Sequence, residues 1–225
     1  MRSFLFAGAL SAALAFAAPV RADTPLNLGE HFLLRSYTGQ AIGTGLRDVL
    51  ALPSVALVAN SSSICSALAG SVASQLLVKL RGEQIALHAT ATPEEAAAAA
   101  KKAVSMAGIA VLYGGQTPPA ENQAMLNALL KELATANYRG PVFSHLAVWA
   151  RQMVENAALA DEQVARWIAG HDNLIALGVD PERGKAMSLF VTVRDGKQTV
   201  VRVKREVDMD KPWLDLFRRS LIRRA

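Results

Sequence analysis

From Pro53 onward the chain alternates short, apolar, β-branched runs with longer Ala- and Leu-rich stretches of helical period. VALVAN (Val55 to Asn60) predicts a strand, and a helix follows over about 63–80. QIALHAT (Gln84 to Thr90) predicts the second strand. Its helix starts at Thr92-Pro93-Glu94-Glu95, where a capping hydroxyl, a proline at the first helical position and early acids coincide. IAVLYGG (Ile109 to Gly115) is the third predicted strand, with a helix over Pro119 to Ala136. GPVFSHLA (Gly140 to Ala147) is the fourth, followed by a helical stretch carrying Trp149, Met153 and Trp167 towards Gly170. Repeated βα units with short connections predict an α/β fold, a Rossmann-like three-layer sandwich whose mainly parallel sheet is covered on both faces.

The last part of the pattern changes period. NLIALGV (Asn173 to Val179) reads as a fifth strand, and SLFVTVRDGKQTVVRVKREV as an antiparallel hairpin extending the sheet edge, with Asp195-Gly196 supplying the positive backbone angles of its turn. Arg202, Lys204 and Arg205 on its second arm discourage edge-to-edge pairing without invoking a ligand. A short helix, KPWLDLFRRSLIRRA, closes the chain. Trp213, Phe217 and Leu221 fall on one face, and Arg218, Arg219, Arg223 and Arg224 oppose its negative end. Before the first strand, residues 23–52 read as an N-terminal lead-in packed on the sheet: a short helix, a glycine-interrupted loop and a second helical piece. Residues 53–225 are expected to form a single α/β domain.

The extreme N-terminus changes where this domain is placed. Arg2, the apolar run Phe4 to Ala18 and Val20-Arg21-Ala22 read as a secretory signal peptide over residues 1–22, too short in its apolar run for a membrane-spanning helix. The expected product is periplasmic. Removing Arg2 and Arg21 takes the formal charge from +5 to +3, and the remaining basic residues are scattered among acids, which argues against a nucleic-acid partner. Cys65 is the single cysteine, so no intramolecular disulfide forms. Its setting between Ile64 and Ala67 reads as a small buried hydrophobe.

Chemistry is sparse. GxSxG, GxxxxGK[ST], HExxH and CxxC are all missing, and Asp48 stands at the third-glycine position of the GxG begun by Gly43 and Gly45. His31, His88, His145 and His171 have no metal-ligand spacing. His88 reads as a hydrogen-bonded buried histidine within its strand. No catalytic set, cofactor or metal site is implied. What the pattern does gather is polar groups at the carboxyl ends of the strands, where open α/β sheets bind ligands. Ser61 and Ser62 follow strand one, Gly114, Gly115 and Gln116 follow strand three, and His145 follows strand four. Together they could hold a small polar or anionic ligand, although each also serves as an ordinary cap or turn residue.

The serine-rich loop after strand one, ATPEEAAAA, GIAVLYGG, and GPVFSHLAVWARQMVENAALA followed by IALGVDPERGKA resemble one lobe of the ABC-type periplasmic substrate-binding proteins, over roughly Val55 to Met209. That family closes two lobes on its ligand, whereas this chain has room for one, and Lys204 stands where such proteins often carry an asparagine. The resemblance implies a non-enzymatic exported lobe that binds a small polar or anionic ligand at the rim. The alternative is a module that binds an envelope or inner-membrane protein.

Overall fold

The computed structural model describes residues 24–221. The expected signal peptide, and Arg223 and Arg224 of the tail, lie outside the described residues. The seven strands are β1 (Val55–Asn60), β2 (Ile85–Thr90), β3 (Gly108–Val111), β4 (Val142–Ser144), β5 (Leu174–Asp180), β6 (Lys185–Arg194) and β7 (Lys197–Asp208). They form one sheet in the order β2-β1-β3-β4-β5-β6-β7. The first five run parallel and the last two antiparallel. The α/β sandwich finished by a hairpin is therefore as the sequence predicts. Asp195 and Gly196 turn the hairpin with φ of 50° and 72°.

Side-chain alternation along the parallel strands makes two cores. Ala56, Val58, Ile109, Val111 and Val142 face α3 (Pro93–Ala103), α4 (Pro119–Thr135), α6 (Met153–Ala160) and α7 (Glu162–Ala169). Val55, Leu57, Ala59, Ala110 and Phe143 face α2 (Ser63–Leu76) and Ile42 of α1 (Leu28–Thr44). Thr92 caps α3, accepting from Glu95 N–H, and Pro93 begins it, as the local signals require. The single helical stretch expected before Gly170 is three short helices, α5 (Leu146–Ala150), α6 and α7. Gln152 at φ 56° and Asp161, which caps α7 through its side chain, break the run.

The lead-in differs most from expectation. Its glycine-interrupted loop is the second half of one continuous helix, α1, which runs to Thr44 and ends in a π-helical turn over Gly45–Val49. Asn27 and Glu30 start it with a reciprocal capping box, at 3.0 and 2.9 Å. The glycines are contact residues rather than breakers. A Cβ at Gly39 would lie 2.6 Å from the Ser71 Cβ and 2.9 Å from the Leu68 carbonyl; one at Gly43 would lie 2.6 Å from the Gln75 Cβ and 2.9 Å from the Val72 carbonyl. Two backbones thus meet along α1 and α2. The last helix, α8 (Lys211–Ser220), docks on α1, with Leu26, Leu34, Trp213 and Leu216 buried between them and Ala186 of β6. Arg219 is not part of a solvated basic end. Its guanidinium is buried and holds both Glu30 carboxylate oxygens, at 2.6 and 2.8 Å, while Nε donates to the Thr24 carbonyl.

The α1–α2 contact predicts opposite outcomes for one substitution at three helical glycines. Gly39→Ala or Gly43→Ala should destabilise the protein by about 1–3 kcal/mol through overpacking against backbone. Gly70→Ala, which meets nothing within 4 Å on α2, should stabilise it by about 0.5–1 kcal/mol. Urea unfolding of the three variants decides. Equal effects at all three would show that α1 and α2 do not meet this closely.

Candidate functional site

A 2-1-3-4-5 parallel order has its topological switch point between β1 and β3, where the two neighbouring connections leave in opposite directions. The loops after β1 and β3 meet there. Asn60, the last residue of β1, is buried and occupies the crevice. Its Nδ2 donates to the Gly114 carbonyl and to Asn122 Oδ1, both at 2.7 Å. Its Oδ1 accepts from Ser62 Oγ at 2.7 Å and from Ser62 N–H at 3.2 Å. Asn122, on the first turn of α4, donates onward to the Thr117 carbonyl at 2.9 Å. This network satisfies the polar groups of the switch point internally and pins the glycine turn to β1. Gly114 and Gly115 take φ of 147° and 66°, and a Cβ on Gly115 would sit 3.0 Å from both Cys65 Sγ and Ser62 Oγ.

The six sequence-proposed residues separate accordingly. Ser62 caps α2, accepting from Cys65 N–H at 3.3 Å. Ser61 is exposed, its N–H bonded to the Thr90 carbonyl, and Gln116 is exposed too. Gly114 and Gly115 bridge towards the loop after β4: a Cβ on Gly114 would be 3.5 Å from His145 Nδ1. Ser62, Gly114, Gly115 and His145 therefore form a continuous strip of rim. Cys65 lies beneath it, its thiol pushed up in pKa first by burial. His88 departs from its expected role: β2 is an edge strand, and the His88 Nε2 has no hydrogen-bond partner.

At the His145 end the rim opens into a cavity of about 160 Å³ beneath α1 and α8. His145 is only 2% exposed. Its Nδ1 lies 3.2 Å from the Tyr113 carbonyl and 3.4 Å from Ala147 N–H, and its Nε2 has no partner. Arg35, projecting from α1, lines the same cavity. Its Nε is buried without a hydrogen bond, and among the described residues the guanidinium has no ion-pair partner. Trp213 of α8 lines it too, with a buried, unpartnered Nε1–H. Neither Arg35 nor Trp213 stands out in the sequence as a site residue. Arg35 belongs to the lead-in, read only as packing on the sheet, and Trp213 reads as a packing residue. A second cavity of about 280 Å³ shares Leu177 and Trp213 with the first. Among the described residues, no three His, Cys, Asp or Glu side chains gather as metal ligands would.

Burial, then repulsion by Arg35, holds the His145 imidazole down to about 3, against a smaller raising effect of the Tyr113 carbonyl. It is neutral at physiological pH. Unfolded, the same side chain takes a proton near pH 6.5, so its contribution to stability is complete above about 6.5 and is lost as pH falls towards 3. Asn at 145 should flatten this dependence. Urea unfolding between pH 7 and 4 should show His145→Asn losing up to about 1.4 kcal/mol per pH unit of slope relative to the parent. Identical slopes would mean that His145 titrates normally in the folded protein.

Comparison with known proteins adds the following. The model of a protein family described as "Uncharacterized protein" matches residues 31–216. No curated protein matches the chain. Among solved structures, an extracellular ligand-binding receptor from Verminephrobacter eiseniae ef01-2 is similar over 65% of this chain and 38% of its own length, with 17% sequence identity and a TM-score of 0.42. The chain thus spans well under half of that receptor. No helix among the described residues is long and apolar enough to cross a membrane.

Proposed function

The chain belongs to that uncharacterised protein family, and we propose that it is an exported, periplasmic, non-enzymatic binding protein that takes a small polar or anionic ligand at the carboxyl rim of its sheet. The observation that carries this reading is the Arg35 guanidinium, set without a counter-ion beside the unpartnered His145 Nε2 in one cavity. Arg35 is half-buried, and an arriving anion supplies the counter-ion that it lacks. The site lies at the His145 end of the rim. At the β1–β3 switch point, Asn60 and Asn122 already use the groups that a ligand would address.

Ligand binding to the folded state alone raises the melting temperature. A panel of small anions, organic acids, amino acids and sugars should contain members that do so for the parent protein, with a gain of about 2.7 kcal/mol at a hundredfold excess over Kd. The same members should fail with a His145→Phe, Arg35→Met double variant. A silent panel, or gains that survive in the double variant, would reject a ligand site at this end of the rim.

One observation favours a second reading, an interaction module for an envelope membrane protein. β7 is a twelve-residue edge strand. Its Val200, Val201 and Val203 are 46%, 52% and 48% exposed. Under this reading, membrane extracts yield one dominant partner that is lost on Val201→Asp, Val203→Asp substitution.

A further inference from the structure

We infer that the ligand is a small monocarboxylate with an apolar tail, its carboxylate on Arg35 and its tail under α8. This rests on the rim-binding reading above and narrows it to one chemical class. Three residues that line the one cavity each carry a buried side-chain nitrogen without a partner: Arg35 Nε, His145 Nε2 and Trp213 Nε1. The last two belong to residues only 2% and 6% exposed, so water does not freely satisfy them. His145 Nδ1 lies between the Tyr113 carbonyl at 3.2 Å, which takes an Nδ1–H and leaves Nε2 an acceptor, and Ala147 N–H at 3.4 Å, which needs the other tautomer. Trp213 is a donor only, and the guanidinium is a donor with a permanent positive charge. The cavity thus offers donors and a cation.

Leu34, Leu146, Leu177, Val179 and Phe217 make most of the remaining wall apolar, and Thr38, Ser220 and a second arginine, the exposed Arg151, complete it. Among the described residues no acidic side chain lines it, so none of them would hold the ammonium group of an amino acid. A phosphate or sulfate would fill the polar end and leave the apolar wall unused. Size sets the tail. A protein cavity of roughly 150 Å³ accommodates benzene, and this one, at about 160 Å³, is of the same order. A tail of about six carbon atoms therefore fits. Arg35 is positioned for this by the Gly39 and Gly43 contacts on the same helix, and α8 is held over the tail by the Arg219–Glu30 pair.

Titration calorimetry and thermal melting of the purified protein test the class with benzoate and hexanoate as probes, and with benzyl alcohol, inorganic phosphate and phenylalanine as contrasts. Benzoate or hexanoate should bind saturably at about 10 mM or below, ten times a millimolar Kd, while the three contrasts bind much more weakly. Arg35→Gln should weaken carboxylate binding about tenfold or more, the loss of a charge-assisted hydrogen bond. The same variant should melt no lower than the parent in the absence of probe, because it removes an uncompensated charge; an arginine kept for structure would lower it. Should Arg35→Gln fail to fold, Trp213→Phe keeps the ring and removes the N–H donor, and it should weaken benzoate binding severalfold. Benzyl alcohol binding as well as benzoate, or unchanged benzoate affinity in both variants, overturns the proposal. If phosphate or phenylalanine binds and both carboxylates do not, the ligand class falls while the rim-binding reading stands. If no probe or panel member binds, both fall.

Discussion

The close approach of α1 to α2 is the contact on which the rest of this arrangement depends. Two helices can bring their backbones together only where a side chain is missing, and Gly39 and Gly43, four residues apart, remove one on successive turns of the same face. With that face against α2, Ile42 and Leu46 enter the core under the sheet, and Leu34 turns towards α8. Arg35 is placed by the same rotation. The cavity beneath α1 is consequently a product of helix packing, and the arginine that α1 contributes to it is placed by residues that carry no charge.

A second constraint acts on the sheet. Asn60 is a buried amide whose donor and acceptor sides are both used, by Gly114 and Asn122 on one side and Ser62 on the other. Leaving any of these unmade would strand a buried polar group at a cost of about 1–3 kcal/mol. The network therefore holds the β1 and β3 loops together as a single rigid corner. That rigidity is useful to the neighbouring loop. His145 leans on Tyr113 and Gly114, so the imidazole is positioned by a turn that cannot drift.

Local signals carried most of the architecture. Thr92-Pro93, Pro118-Pro119 and Asp195-Gly196 each act within three or four residues, and each marks the boundary it marks in the structure. The strand ends were legible for the same reason, which is why His145 could be placed on the rim from sequence. What was not legible depended on partners distant in the chain. Glycines 39, 43 and 45 weaken a helix considered alone, and only the surface of α2 reveals why two of them are there. Asn60 and Asn122 are 62 residues apart and share no pattern. Arg219 looked like one of several basic residues at a helix end, yet its partner is Glu30, 189 residues earlier. The rim was predicted as a broad polar surface because sequence spacing cannot show which hydroxyls and amides are already spent on one another.

The Arg219–Glu30 pair has an implication for biosynthesis. It joins the first helix described to the last, and the cavity lies between them. A chain still emerging, with β1 to β5 complete, can already form its sheet from neighbouring elements. It has no enclosed pocket until residues 211–220 arrive and fold back onto α1. The cavity is thus completed only when the last helix docks, and loss of that helix would leave an open, wetted groove beside α1.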